Sequence, residues 1–361
     1  MDKIDFRSDT VTWPTPNMRK AMAAAEVGDD VYGEDPTVNK LEETAADRLG
    51  KEAGLLVASG TQGNLVAILA HANRGEEAIV GQTYHTVTAE AGGMAVLGGI
   101  VPKFLPTDAE GRMALTDIEA SIRVDNPHYP VSRLILLENT TGAAGGYPLE
   151  VEYMDAVADI GHQHGLSVHV DGARLFNAAV ALGVPASRVV QAADSATFCL
   201  SKGLSAPVGS VLCGSAEFIH RARRIRKLLG GGMRQAGVFA AAGLVALDES
   251  IDRLAEDHAR AKRLALGLSD IAGIDIDPER IKTNIVYFGL EDDAPVTGQD
   301  VVNFMREEAG IWLGLTGPRR FRAVTHYWID DAAVDNFLGA MNAAMNRPVS
   351  AKSDQTTSFY G

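Results

Sequence analysis

Ser195-Ala196-Thr197-Phe198-Cys199-Leu200-Ser201-Lys202-Gly203-Leu204 is a short run of small and apolar residues that stops at a charged residue and a glycine. Ser167-Val168-His169-Val170-Asp171-Gly172-Ala173-Arg174 has the same form. Runs of this length bounded by glycine predict buried strands of an open parallel sheet. In such sheets ligands bind just past the carboxyl ends of the strands. Asp171 and Lys202, each the first polar group after its strand, are therefore expected to project into one crevice. The intervening stretch, Phe176 to about Ala193, has the length of one helical crossover.

Taken singly, each residue has a blander reading. A lysine after a strand is usually a solvated loop residue, and an aspartate before glycine is commonly a turn or cap residue. The pair says more. An amine and an acid at neighbouring strand ends are what pyridoxal 5'-phosphate (PLP) needs: the lysine can form the Schiff base, and the carboxylate can hold the pyridine nitrogen protonated.

Bulk properties narrow the class. A chain of 361 residues can bury a sizeable core and is expected to hold two unequal domains. A net charge of −14 argues against nucleic acid or an anionic membrane as partner. No apolar run reaches the roughly 20 residues of a membrane span, and Met1-Asp2-Lys3-Ile4-Asp5-Phe6-Arg7 lacks the apolar core of a secretion signal. Cys199 and Cys213 both fall in apolar strand-like runs, which suggests a reducing cytoplasm and no disulfide framework. No metal site is read.

Around the two strands the chain alternates strand and helix. Trp13-Pro14-Thr15-Pro16 ends an extended arm that carries Ser8, by itself only a turn hydroxyl. Gly28 to Pro36 is a polar loop whose Tyr32 can line a substrate site, although exposed single aromatics are common. Ser59-Gly60-Thr61-Gln62-Gly63-Asn64 opens an apolar helix, and free N–H groups there make a phosphate cradle; an ordinary N-cap is the plainer reading. His85, just past the strand Ala78–Gly81, is placed to stack on a flat ring, whereas a lone histidine there is more often a satisfied polar group. His128 falls in a proline-flanked loop. The helix Ala216 to Leu229 is strongly basic and ends at Gly230-Gly231-Gly232-Met233-Arg234-Gln235, where glycine lets Arg234 approach an anion; most of its other arginines read as a solvated face. From about Leu254 an α+β succession begins, with Arg322 alternating with Phe321 and Ala323. The expected division is an arm over 1–20, a large cofactor-binding domain over 21–250, a smaller domain over 251–346 and a flexible polar tail over 347–361.

With these pieces placed, residues 4 to 345 resemble the low-specificity L-threonine aldolases, in the PLP fold-type I group with the β-eliminating lyases. The resemblance rests on Arg7-Ser8-Asp9-Thr10-Val11-Thr12, Asp30-Val31-Tyr32-Gly33-Glu34-Asp35-Pro36-Thr37, Ser59 to Asn64, His85, Asp171-Gly172-Ala173-Arg174, Leu200-Ser201-Lys202-Gly203-Leu204, Gly230 to Gln235 and Arg322-Ala323-Val324-Thr325-His326, in that order. It implies an α/β, PLP-dependent transferase-like fold with a mainly parallel seven-stranded sheet and a smaller α+β C-terminal domain. It also implies a homotetramer, a dimer of dimers with shared active sites.

By that resemblance Lys202 holds the cofactor, Asp171 pairs with the pyridine nitrogen, His85 stacks on the ring, and Gly60 and Thr61 hold the phosphate. Arg174 contacts the ring hydroxyl side and the substrate carboxylate, which Ser8 and Arg322 also bind. Lys227 and Arg234 approach the phosphate from a neighbouring subunit, and His128 is the second family histidine near the substrate hydroxyl. The implied reaction is an aldehyde-lyase cleavage of L-threonine, L-allo-threonine and related β-hydroxy-α-amino acids to glycine and an aldehyde, with His85 or His128 as the base. A β-eliminating lyase or an aminotransferase would use the same lysine, aspartate and phosphate groups, and a non-catalytic sensor could keep the fold. Many relatives carry Glu-Asn-Thr-His-Asn where this chain has Glu138-Asn139-Thr140-Thr141-Gly142, so the pocket beside the cofactor is expected to be reshaped.

Overall fold

The computed structural model describes residues 3–347. These fall into two units, one spanning residues 13–252 and one that joins the residues up to 12 with those from 253 onward. The arm expected over 1–20 is thus divided at Thr12, because the helix Pro16–Ala23 packs on the helix Gly237–Glu249 of the larger unit. From residue 348 on, the expected tail lies outside the described residues.

In chain order the strands are β1 (Ile4–Asp5), β2 (Ala53–Val57), β3 (Glu77–Gly81), β4 (Val101–Leu105), β5 (Ser132–Glu138), β6 (Ser167–Asp171), β7 (Ser195–Cys199), β8 (Ser210–Gly214), β9 (Ile274–Asp275), β10 (Ile285–Leu290), β11 (Ile311–Trp312), β12 (Gly314–Gly317) and β13 (Arg320–Val324). The larger unit builds one seven-stranded sheet in the order β2-β8-β7-β6-β5-β3-β4. Only β8 runs against its neighbours. Strands β3, β7 and β8 are buried along their whole length, as strands covered by helices on both faces must be. Register then places Glu138 beside Asp171 and Asp171 beside Thr197. Three polar side chains thus stand abreast at the carboxyl edge of an apolar sheet.

The crossover after β6 is two helices, Leu175–Leu182 and Ala186–Val189, rather than one. Gly183 closes the first in the left-handed region (φ 67°), and Pro185 cannot continue it. The helix Gly237–Glu249 gave no sequence signal because Val238, Phe239, Ala240, Ala241 and Leu244 leave it apolar nearly all round, with no polar face to mark a 3.6-residue period. Arg226 also departs from the solvated-face reading. It is 2% exposed, and its guanidinium donates to Asp30 Oδ2 and to the carbonyl of Leu56, both at 2.7 Å. Burying that charge is tolerable only because the carboxylate and carbonyl pair with it.

The smaller unit carries an antiparallel sheet, β12-β13-β10-β9, with β1 lying parallel to β11. The N-terminal segment is stitched to it by Val324 N–H donating to Phe6 O at 2.7 Å. Phe288 stacks on Phe321 at 4.9 Å, and Phe6 meets Phe337 edge-on at 4.8 Å. Among the described residues, no helix is long and apolar enough to cross a membrane.

Candidate active site

The Ser59–Asn64, His85, Asp171 and Lys202 segments each follow the carboxyl end of a strand of the larger sheet. After β2, Ser59 caps the helix Gly60–His71 by accepting from Gln62 N–H at 3.1 Å. The capping and cradle readings are therefore compatible: the cap occupies the N–H of Gln62, while the first-turn N–H groups of Gly60 and Thr61 have no acceptor within the helix. A side chain at position 60 would come within 2.9 Å of Cys199 Sγ, so glycine is needed for this turn to lie against β7. Gly231 approaches the Gln62 side chain so closely that any Cβ would collide with it. The triple-glycine loop thereby abuts the same turn.

Asp171 is 2% exposed at the end of β6. Its Oδ1 accepts from Ala173 N–H at 3.0 Å and its Oδ2 from Asn64 Nδ2 at 2.8 Å. Gly172 follows because a Cβ there would collide with the carbonyl of Thr197. Lys202 lies in the bend after β7, where its carbonyl accepts from Ser205 N–H at 2.9 Å. Ser205 itself adopts φ 64°, a left-handed conformation rare for a residue with a side chain.

His85 follows β3. Its Nδ1 lies 2.9 Å from Glu90 Oε1, and its backbone N–H donates to Glu138 Oε2 at 2.5 Å. The hydrogen bond to Glu90 raises the imidazole above its ordinary range; the charge of Asp171 adds to this, while burial and Lys202 oppose it. Burial also raises Glu90. Both shifts act in one direction, favouring a proton on the His85–Glu90 pair. Asp171 presents an oxygen within 4.8 Å of a His85 ring nitrogen, and the Lys202 charge acts on the same imidazole.

Glu138, unassigned by the sequence reading, proves central. Its Oε1 accepts from Gly142 N–H at 2.7 Å, so one carboxylate ties the loops after β3 and β5 together. Burial first, then the neighbouring charge of Asp171, push it up to about 7. An acid raised in the folded state above its ordinary value of about 4.3 adds most stability below that value and loses it as pH rises through the folded pKa. Glu138→Gln sets an amide donor against the N–H of Gly142 or His85, a pH-independent cost of about 1–3 kcal/mol. On top of that cost its stability relative to wild type, in urea unfolding of the cofactor-free protein, is expected to move in its favour by up to about 3 kcal/mol between roughly pH 5 and pH 8. A difference independent of pH would refute this. The sequence signal was available: like Asp171, Glu138 is an acid at the end of an apolar strand.

The remaining expected residues divide by location. Arg174 sits between β6 and the helix Leu175–Leu182 and lines a small cavity with Phe176, Cys199 and Gly203. Arg234 pairs with Asp29 at 2.9 Å, its carbonyl accepts from Asp30 N–H, and Lys227 packs along Gly232. Tyr32, 76% exposed, belongs to that same turn. Ser8 and Arg322 belong to the smaller unit, where Ser8 caps the turn Asp9–Val11 and Arg322 lies opposite Tyr287 in β10.

Within one chain, His128 is not brought to this site. Its loop enters the amino end of β5, and the seven residues of that strand separate it from Glu138 by roughly 20 Å. Proline-flanked sequence marked a loop but carried no information on which end of the sheet the loop serves. Elsewhere, a cleft of about 440 Å³ beyond β4 is lined by Asp108, Arg112, Asp117 and Tyr153. Arg112 is already paired with Asp108 at 2.9 Å, and none of the residues above lies there.

His85, Glu90 and Asp171 also present ligand atoms within 4.8 Å of one another, as a metal site would. Asn64 Nδ2, however, donates to both carboxylates. An N–H pointed at both acids fills the place a cation would take, so this is a hydrogen-bonded cluster. The donor set suits PLP instead: a helix N-terminus for a phosphate, a buried carboxylate for a ring nitrogen, an imidazole for a ring face and an amine. Three buried hydroxyls adjoining these groups in sequence, Thr86 Oγ1, Thr140 Oγ1 and Ser205 Oγ, have no partner among the described residues.

Comparison with known proteins agrees. The beta-eliminating lyase family model matches residues 5–291. Low-specificity L-threonine aldolase 1 of Arabidopsis thaliana is 47% identical over 348 residues, covering 96% of this chain and 97% of the relative. The low specificity L-threonine aldolase of Escherichia coli K12 is 48% identical over 297 residues, covering 82% and 87%. A solved threonine aldolase of Leishmania major superposes with a TM-score of 0.79 at 19% identity, covering 95% of this chain and 99% of its own. The chain belongs to the beta-eliminating lyase family, in its threonine aldolase branch.

Proposed function

We propose that this protein is a PLP-dependent aldehyde-lyase that cleaves L-threonine, L-allo-threonine and related β-hydroxy-α-amino acids to glycine and an aldehyde. The observation that carries this reading is the buried Asp171 carboxylate, held at the same sheet edge as Lys202, His85 and the Gly60 helix terminus, in a chain nearly half identical to curated threonine aldolases.

Lys202 and the Ser59-Gly60-Thr61 turn would hold the cofactor, with Asp171 at its ring nitrogen. Bound PLP supplies the electron sink for the Cα–Cβ bond that breaks. Arg174, Arg322 and Ser8 would fix the substrate carboxylate, guanidinium forks giving oriented, bidentate bonds. His85 would cover the ring, its Nδ1 tethered by Glu90. A general base takes the β-hydroxyl proton. His85 can do this only in its neutral form, which the Glu90 contact disfavours; His128 can do it only from another copy of the chain. A cytoplasmic homotetramer with shared sites would supply that copy, and Lys227 and Arg234 with it. Thr141 and Gly142 would widen the pocket: Thr141 Oγ1 turns to the carbonyl of Glu110 at 2.8 Å, and Gly142 presents no side chain.

Incubation with L-threonine tests the reading. Glycine and acetaldehyde in equal amounts are expected. Ammonia with a keto acid would instead identify a β-eliminating lyase, and absence of turnover would leave a sensor.

A further inference from the structure

Asn64 lies in the first turns of the helix Gly60–His71 and is 1% exposed. Its Nδ2 donates to Asp171 Oδ2 at 2.8 Å and to Glu90 Oε1 at 2.9 Å. Its Oδ1 accepts from Thr197 Oγ1 at 2.9 Å and lies 3.3 Å from His169 Nε2. An asparagine amide has two N–H donors and an oxygen with two lone pairs, and here all four are engaged. The orientation is forced, since a flipped amide would set its oxygen against two carboxylates. Beneath it, His169 Nδ1 lies 2.8 Å from Ser195 Oγ, which lies 2.7 Å from His71 Nε2. Because Asn64 Oδ1 can only accept, His169 must donate from Nε2. Burial holds that imidazole neutral, pushed down to about 3. Its Nδ1 then accepts from the Ser195 hydroxyl, which accepts from His71. Every donor in this chain points toward the same two acids.

We propose that Asn64 is a positioning residue that fixes, through one amide, both the Asp171 carboxylate under the ring nitrogen and the Glu90–His85 pair at the ring face. The inference rests on the PLP-dependent reading above. Two groups that must act on one flat ring are referenced to a single buried side chain, so their relative placement does not depend on the mobile ends of long side chains. An outer-shell partner of this kind typically contributes 10–100-fold in ligand affinity or activity, to judge by those around metal sites.

The test uses the full-length protein and PLP itself. Asn64→Ser is expected to weaken PLP binding by about 10–100-fold, to alter the visible absorption band of the bound cofactor at fixed pH, and to lower kcat with little change in KM for threonine, because Asn64 adjoins no residue assigned to the substrate carboxylate. Should that variant fold poorly, Thr197→Val removes one donor that fixes the amide and keeps the side-chain shape. It should move affinity and spectrum the same way by a few fold. A folded variant with wild-type affinity and an unchanged spectrum overturns the assignment of Asn64 alone. If the wild-type protein binds no PLP, the cofactor reading and this inference fall together.

Discussion

Lys202→Ala is expected to abolish covalent attachment of PLP and to lower threonine cleavage by at least about 10³-fold. Holding a reacting group in place is worth several powers of ten by itself, and the lysine is asked to hold the cofactor covalently against Asp171 and His85. The sequence fits a loop residue with no role, and only its surroundings argue otherwise. Lys202 follows the fully buried strand β7 and lies close enough to His85 to lower its basicity. The next residues bend back sharply, with Ser205 in a left-handed conformation and its hydroxyl buried without a partner among the described residues. Strain of that kind costs of order 1–3 kcal/mol and persists where surrounding structure requires it. Borohydride reduction followed by peptide mapping reads the result directly. Wild-type protein should carry the pyridoxyl group on the peptide containing Lys202, and the variant should carry none. Label on another lysine, or appreciable cleavage by the variant, would remove Lys202 from the mechanism.

How far this could be read from the chain alone depended on whether a feature was local. Strands such as Ser167–Asp171 and Ser195–Cys199 declare themselves, because burial on both faces demands an unbroken small or apolar run and the first charged residue marks the edge. The helix Gly237–Glu249 is equally apolar but has no polar face, so its period is invisible. Chain breaks were legible only in part: Gly183 and Pro185 divide the crossover by local chemistry that the helical length estimate overrode. Site residues on strand ends were legible for the same reason as the strands. Asn64 and Glu90 were not, since their value lies in whom they touch: they meet each other across 26 residues, and Asn64 meets Asp171 across 107. His128 shows the converse limit. Its residue type and loop suit a catalytic role, while the direction of β5 carries it to the other end of the sheet.

Asp171→Asn should keep the fold and most of the side-chain volume, yet lower kcat by about 10²–10³-fold, roughly 3–4 kcal/mol of transition-state stabilisation. Two separate losses combine. The charge that holds the ring nitrogen protonated disappears, and with it the pull on the breaking bond. The hydrogen-bond inventory fails as well. Each carboxylate oxygen already accepts from a donor, Ala173 N–H on Oδ1 and Asn64 Nδ2 on Oδ2. An amide in its place must point its NH₂ at one of them, and a buried donor facing a donor costs about 1–3 kcal/mol. PLP affinity should fall too, because either orientation disturbs the groups around the ring nitrogen. Asp171→Glu distinguishes the two losses. It restores the charge but displaces it by one methylene in a site buried to 2% exposure, so activity should return only in part. If Asp171→Asn turns over threonine within a few fold of wild type while Asp171→Glu does not, the side chain matters for its shape alone, and the electron sink does not depend on its charge.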